Sequence, residues 1–380
     1  MKFVKLSTIC DIQAGGTPAR SNQSFWKNGN IPWVKIGDFD GKYINSTSEA
    51  ITQEGLAASS AKLFPKGTIV YTIFATLGEV AILNVEASTN QAIAGLILKD
   101  TRFSVDYLYY YLKSLQPYVN GIGRGVAQNN INLSILRNFE VPCKGITEQD
   151  RITRSLETAE HIIGLLHKQF DKLDELIKAR FVEMFGDWRA NGMHWQTKRL
   201  SEIAIVGSSK RVFVKELCNK GVPFYRGTEI GLLATGNKVV PRLFIEPQHY
   251  RRLCQESGCP RKGDLLLPSI CPDGRIWNVD ENAPFYFKDG RVLWIHDINK
   301  MYHPIYILHS LRERLIANYA SVASGTTFAE MKIFSLKNIE IYDVPLPLQK
   351  KFASLVEQVD KSKVVVQLSQ KRIDVLHLLW

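Results

Sequence analysis

Apolar side chains at Ile152, Leu156, Ala159, Ile163, Leu166, Phe170, Leu173 and Ile177 step by 4, 3, 4, 3, 4, 3 and 4 residues. A mean period of 3.5 predicts a helix whose seam faces a partner helix, because a solitary surface helix drifts toward 3.6. A second seam runs through Phe352, Val356, Val359, Val366 and Ile373, but Lys363, Gln370 and His377 interrupt it. Polar residues at such positions cost stability and fix register and partner choice.

The two helices follow matching segments. Leu136, Arg137, Asn138, Phe139, Glu140, Val141 and Pro142 precede Gln149; Leu336, Lys337, Asn338, Ile339, Glu340, Ile341 and then Pro345 precede Gln349. Upstream, Leu6-Ser7-Thr8-Ile9 answers to Leu200-Ser201-Glu202-Ile203, and Ile31-Pro32-Trp33-Val34-Lys35 answers to Val222-Pro223-Phe224-Tyr225-Arg226. Each of the latter pair reads as a strand ending in a glycine turn after a basic residue. Short β-rich runs (68–74, 80–83, 265–268 and 291–295) mix with helical stretches at 105–115 and 304–318, without regular βαβ alternation. That pattern predicts an α+β fold built twice. Its divisions are a globular domain at 1–145, a long helix at 146–186, a second domain at 187–344 and a second helix at 345–380. Loops rich in Gly, Ser, Thr and Asn, at 14–29 and 121–132, are the places for variable recognition. The second helix is expected to be the shorter of the two, with the more polar seam.

Composition narrows the class. Lys plus Arg number 48 against 37 Asp plus Glu, a formal charge of +11, which favours a polyanionic partner such as nucleic acid. No uncharged apolar run reaches the roughly 20 residues of a membrane span, so no membrane role is expected. Six scattered cysteines without a CxxC pair, and no signal-peptide pattern, point to a reducing, cytoplasmic setting.

No recognisable catalytic motif stands in the sequence. Gly121, Gly123 and Gly125 resemble a nucleotide fingerprint only superficially, since Pro117 precedes them and Asn129, Asn130 and Asn132 follow. There is no GxxxxGK[ST] loop for ATP and no Asn/Asp-Pro-Pro-aromatic motif for adenine methylation. Asp343-Val344-Pro345-Leu346-Pro347 reads as a boundary before a helix. Glu330-Met331-Lys332 lacks the aspartate a metal-dependent nuclease needs, and His249, Cys254, Cys259 and Cys271 are poorly spaced for zinc. The expectation is a chain with no catalytic residues and no bound metal or cofactor.

Several local motifs then carry a family resemblance. Gly15-Gly16-Thr17-Pro18 is followed by Phe25, Trp26 and Ile31-Pro32-Trp33; Ala127-Gln128-Asn129-Asn130-Ile131 leads to Leu136 and Val141-Pro142. Glu148-Gln149 opens the first helix and Arg180-Phe181-Val182-Glu183-Met184-Phe185-Gly186-Asp187 closes it. In this order, with a second copy behind, the chain resembles the specificity subunit of type I restriction-modification systems over essentially its whole length. The resemblance implies two target-recognition domains separated by two long antiparallel coiled-coil helices with pseudo-two-fold symmetry. Each domain would read half of an asymmetric, bipartite site on double-stranded DNA, and the helices would set the gap. It also implies docking of two modification subunits, with restriction subunits as an optional addition; S-adenosylmethionine, ATP and Mg²⁺ would sit on those partners. The second domain departs from the pattern, having Val206-Gly207-Ser208-Ser209-Lys210-Arg211 in place of Gly-Gly-Thr-Pro.

Phosphates are contacted by Lys, Arg, hydroxyls and loop amides, and bases by Arg, Lys, Asn and Gln. The candidate DNA contacts are therefore Thr17, Arg20, Lys35, Arg124, Gln128 and Asn129 in the first domain. In the second they are Ser209, Lys210, Arg211, Arg226, Arg275 and Thr327. Trp33 and Tyr225 belong to apolar strands and are expected in the core. The competing readings are a scaffold whose duplicated domains bind protein or RNA, and a self-contained nuclease or methyltransferase.

Overall fold

The computed structural model describes residues 2–123, 130–324 and 329–378; at 122, 123, 322, 324 and 365–378 only the backbone is described. The chain forms two compact units, one of residues 1–165 with 375–380 and one of residues 166–374. The first long helix, Ile146–Phe185, gives its N-terminal half to one unit and its C-terminal half to the other.

In the first unit a five-stranded sheet runs in the order Tyr43–Ile44, Val80–Leu83, Ile69–Thr72, Ile93–Leu98, Cys10–Ala14. The strand Ile69–Thr72 is buried along its whole length, because its alternating side chains enter two different cores. Ile69 and Tyr71 join the core under the helix Val105–Ser114, with Leu6, Leu108 and Leu112; Val70 points to a smaller core with Val34, Phe64 and Leu83. A four-stranded sheet, Glu49–Ile51, Ile31–Val34, Ala87–Thr89, Leu63–Phe64, completes the unit, with Ile31–Val34 parallel to Ala87–Thr89.

The second unit repeats this plan. Its sheet runs Ile205–Gly207, Val292–His296, Leu265–Pro268, Trp277–Asn278, and Leu265 and Leu267 enter one core while Leu266 enters another. Val222–Tyr225 lies parallel to Tyr286–Phe287, as Ile31–Val34 does to Ala87–Thr89.

The repetition reaches single hydrogen bonds. Gln149 and Gln349, both fully buried, are the same clamp. The Gln149 amide donates to the carbonyls of Arg102 (2.7 Å) and Lys144 (2.8 Å) and accepts from the Ser104 N–H (2.9 Å). Gln349 donates to Met301 (3.2 Å) and Val344 (2.6 Å) and accepts from the His303 N–H (2.8 Å). Likewise the Tyr107 hydroxyl donates to the Pro142 carbonyl at 3.1 Å and Tyr306 to that of Tyr342 at 2.9 Å. The recurring glutamine thus ties the start of each long helix to the segment that opens the domain's own helix.

The second long helix, Leu346–Leu378, has 33 residues against 40 in the first. Within the second unit the two run antiparallel: Phe352 packs on Phe181 (ring centroids 5.3 Å apart) and, eleven residues on, Lys363 bonds Asp174 at 2.6 Å. Lys363, which breaks the apolar seam, is therefore answered by a carboxylate. Of the seam positions, Ile152, Ile177, Phe352, Val356 and Val359 are buried, whereas Leu156, Ala159, Ile163, Leu166, Phe170 and Leu173 are half-buried. The side chains of Val366, Gln370, Ile373 and His377 lie outside the described residues.

Two local expectations are corrected. Gly121 and Gly123 are not in a loop but end a helix, Gln116–Gly123, whose first turn accommodates Pro117 because a proline there lacks only an N–H that has no helical partner. Arg226 is followed not by a simple turn but by the helix Gly227–Ala234, and Lys35 by a 3-10 turn, Ile36–Asp38. In both, a downstream carboxylate accepts from the basic residue's own N–H: Asp38 from Lys35 at 2.9 Å and Glu229 from Arg226 at 3.0 Å.

His309 sits in the second unit against Phe352 (5.2 Å) and Phe181 (6.3 Å). Burial, reinforced by Arg312 and Lys363 and opposed by Asp174, pushes its imidazole down to about 3. The folded form thus holds His309 neutral. Stability from this residue is complete above the ordinary value near 6.5 and is lost progressively as pH falls from there toward 3, by about 1.4 kcal/mol per pH unit. Thermal melts at pH 7 and pH 5 are expected to differ less in His309→Leu than in the wild-type chain; equal differences would show that His309 is not the titrating group.

Candidate nucleic-acid interface

The strand Cys10–Ala14 delivers the chain into Gly15 and Gly16, whose N–H groups donate to the carbonyls of Ile93 and Thr89, both at 2.9 Å. A Cβ on Gly15 would lie 2.0 Å from Thr89 Oγ1, and one on Gly16 2.4 Å from the Ala61 nitrogen. Only glycine fits this approach. The second unit solves the same junction with side chains: Ser208 Oγ donates to the Val292 carbonyl and Ser209 Oγ to that of Phe287, both at 2.6 Å. Phe287 pairs with Tyr225 as Thr89 pairs with Val34, so a serine hydroxyl stands where the first unit uses a glycine N–H.

Beyond the glycines the loop turns over two tryptophans. Trp33 is buried and its indole N–H donates to the Gly16 carbonyl at 3.0 Å; Trp26, edge-on to it at 5.0 Å, donates to that of Ala19 at 3.2 Å. The Arg20 guanidinium lies 3.6 Å from the Trp26 ring centroid and 4.8 Å from that of Trp33. Arg20 Nη1 donates to Glu49, and Lys35 Nζ bonds the other oxygen of the same carboxylate at 2.7 Å. These two donors hold the Glu49 carboxyl below its usual range. Thr17 donates to the Gln91 side chain. Arg20 and Lys35, separate in sequence, are thus brought together on one carboxylate. Arg124, Gln128 and Asn129 lie outside the described residues.

In the second unit Arg211 Nε pairs with Asp289 at 3.0 Å, which Lys288 also reaches at 3.1 Å. Burial alone would raise the Asp289 carboxyl; hydrogen bonds from Arg211 and Lys288 outweigh it and hold it low. The Lys210 N–H donates to the Tyr286 hydroxyl at 3.0 Å. Arg226 turns back onto Glu229 and Arg275 onto Asp273, at 3.0 and 2.7 Å. Lys288, Arg291 and Lys332, none of them a candidate on residue type and loop position, lie on carboxylates in the same unit. Arg291 and Lys332 converge on Glu330 at 2.9 and 3.2 Å, with Ser269 donating to it at 2.8 Å. Glu330 and Lys332, whose spacing resembles part of a nuclease motif, form an ion pair in a polar cluster. Thr327 lies outside the described residues.

Both units therefore present oriented cationic donors on loops and short turns carried by a rigid sheet. That geometry suits recognition of an anionic, hydrogen-bonding surface.

Comparison with known proteins gives consistent matches. A family model of the type I restriction modification DNA specificity domain fits residues 1–175 and again 193–376. The MjaIX specificity subunit of a type I restriction enzyme from Methanocaldococcus jannaschii is 26% identical over 377 residues, covering 93% of this chain and 85% of the relative. The EcoR124I/EcoR124II specificity subunit of Escherichia coli is 29% identical over 187 residues, 48% of this chain and 46% of that one. Among solved structures, the S subunit of a type I restriction-modification system from M. genitalium aligns with a TM-score of 0.54 at 16% identity, over 99% of this chain and 93% of that one. A chain from a structural study of complex assembly and conformational transition in a type I restriction-modification system aligns at 0.61 and 17%, over 99% and 95%. At these identities the structural matches speak for the fold.

Proposed function

The chain belongs to the type I restriction modification DNA specificity family, and from that premise we propose that it is the sequence-reading subunit of such a system, each domain recognising one half of a bipartite site on duplex DNA. The observation that carries this reading is the duplication. One fold, one glutamine clamp and one match to the specificity domain occur twice in a single chain, as two half-sites require two readers.

On this reading the chain makes no bonds and breaks none. It chooses the site, and modification subunits, two per chain, supply S-adenosylmethionine chemistry; restriction subunits, when bound, supply ATP- and Mg²⁺-dependent cleavage. The assembly works on DNA in the cytoplasm. Phosphate contacts come from loop cations and hydroxyls, with Lys210 and Arg211 and the Thr17 and Ser209 hydroxyls as the described candidates. The long helices act as the spacer: 40 continuous helical residues span about 60 Å, against about 34–36 Å between major grooves on one face of the duplex.

Binding of the chain, together with a modification subunit, to duplexes carrying the methylated motif tests this. Affinity is expected to fall with salt at a log–log slope near −0.9 per phosphate contacted. Salt-independent or absent binding would favour a scaffold for protein or RNA.

A further inference from the structure

Four of the arginines nominated as DNA contacts are described, and they differ in what their guanidinium edges have left to offer. Arg226 spends both Nε and Nη2 on Glu229, at 3.3 and 3.0 Å. Arg211 donates Nε to Asp289, and Arg275 Nε lies 2.7 Å from Asp273 but is buried and out of hydrogen-bond geometry. Arg20 engages only Nη1, on Glu49. Its Nε and Nη2 donors, the parallel pair of the guanidinium fork, have no partner among the described residues, and its side chain is 52% exposed.

The plane of that fork is fixed. Trp26 lies against its face and Trp33 beside it, each tryptophan pinned by its own indole N–H to the loop that carries Arg20. An arginine held this way loses little freedom on binding. Its surroundings also disfavour a phosphate. Glu49 neutralises one of the two positive charges of Arg20 and Lys35, and a phosphodiester approaching Arg20 meets that carboxylate. Two coplanar donors beside a compensating acid match the O6 and N7 acceptors of guanine, the commonest target of arginine in the major groove.

We infer that Arg20 is a specificity-determining residue, donating through Nε and Nη2 to O6 and N7 of one guanine in the half-site read by the first domain. This rests on the DNA-reading function proposed above. Glu49, Trp26 and Trp33 are positioning residues in it. In the second unit Arg211 and Arg226 engage Nε and Arg275 Nε is buried, so none of its described arginine candidates has this edge open, and its half-site is read by other groups.

The test uses the chain assembled with its modification subunit and a plasmid library randomised around the methylated motif, with methylated positions read by sequencing. Wild-type, Arg20→Lys and Arg20→Ala chains are compared, and each is melted to establish folding. Lysine keeps the charge and the bond to Glu49 but lacks the fork. The expected result is that both variants still methylate, with the same gap and second half-site, while one guanine position becomes degenerate by about 10- to 100-fold in relative preference. An unchanged motif with uniformly slower methylation at every site would assign Arg20 to a phosphate and overturn the inference. So would complete loss of methylation, or unfolding, in both variants, which would make it a structural strut. A wild-type assembly that methylates no bipartite motif would instead reject the function itself.

Discussion

Replacing Gln149 by leucine is expected to destabilise the first unit by about 4 kcal/mol, and replacing Gln349 the second by a similar amount. Leucine nearly keeps the volume but removes three hydrogen bonds at a fully buried position. In the first unit that removes the Gln149 bonds to the Ser104 N–H and the Arg102 and Lys144 carbonyls; in the second, the Gln349 bonds to the His303 N–H and the Met301 and Val344 carbonyls. An orphaned buried polar group costs about 1–3 kcal/mol, a large share of the roughly 5–15 kcal/mol that holds a domain folded. Hydrogen exchange locates the damage. Protection should fall across residues 2–165 in Gln149→Leu and across 166–374 in Gln349→Leu. Loss spread equally over both units in each variant would show that the clamps are not separate.

The second large effect concerns the spacer. Inserting three heptads in both long helices keeps the 3.5-residue seam in phase and adds about 32 Å of helix. That is close to one turn of B-DNA, about 34–36 Å, so both readers return to the same face of the duplex. The methylated motif is expected to keep both half-sites and to lengthen its gap by about 9–10 base pairs. An insertion of one heptad adds about a third of a turn and should nearly abolish methylation, because the second reader then faces away from its groove. A gap that stays the same in the three-heptad chain would remove the helices from their role as ruler.

The seam spacing, the doubled Gln149 and Gln349 and the all-apolar strands were legible because each is a short-range pattern, and local periodicity reports directly on which faces are buried. The purpose of the glutamines was not legible. Their partners, such as Ser104 and His303, lie more than forty residues away, and only the fold brings them together. The helix Pro247–Ser257 escaped for another reason: it is polar apart from Tyr250, Leu253 and Cys254, an apolar stripe only about one turn long. Its ends did carry signals, a proline at the start and Gly258 with a φ of +79° just after it.

The candidate interface divides the same way. Residue type alone pointed to Arg20, Lys35 and Arg211, since cationic donors on loops are the groups that contact nucleic acid. What each can do depends on acids distant in sequence: Glu49 for Arg20 and Lys35, and Asp289 for Arg211. Composition cannot tell a guanidinium with an open edge from one already closed on a carboxylate. Lys363 shows the reverse case. It reads as a flaw in the apolar seam, yet Asp174 on the facing helix compensates it.

The most direct test of the central claim, that this chain chooses where DNA is methylated, is sequencing of methylated bases across a genome. Cells would carry a modification subunit either alone or together with this chain. The account predicts that a single bipartite motif with a fixed gap is methylated only when the chain is present. Methylation with the same sequence pattern in both cultures would contradict it.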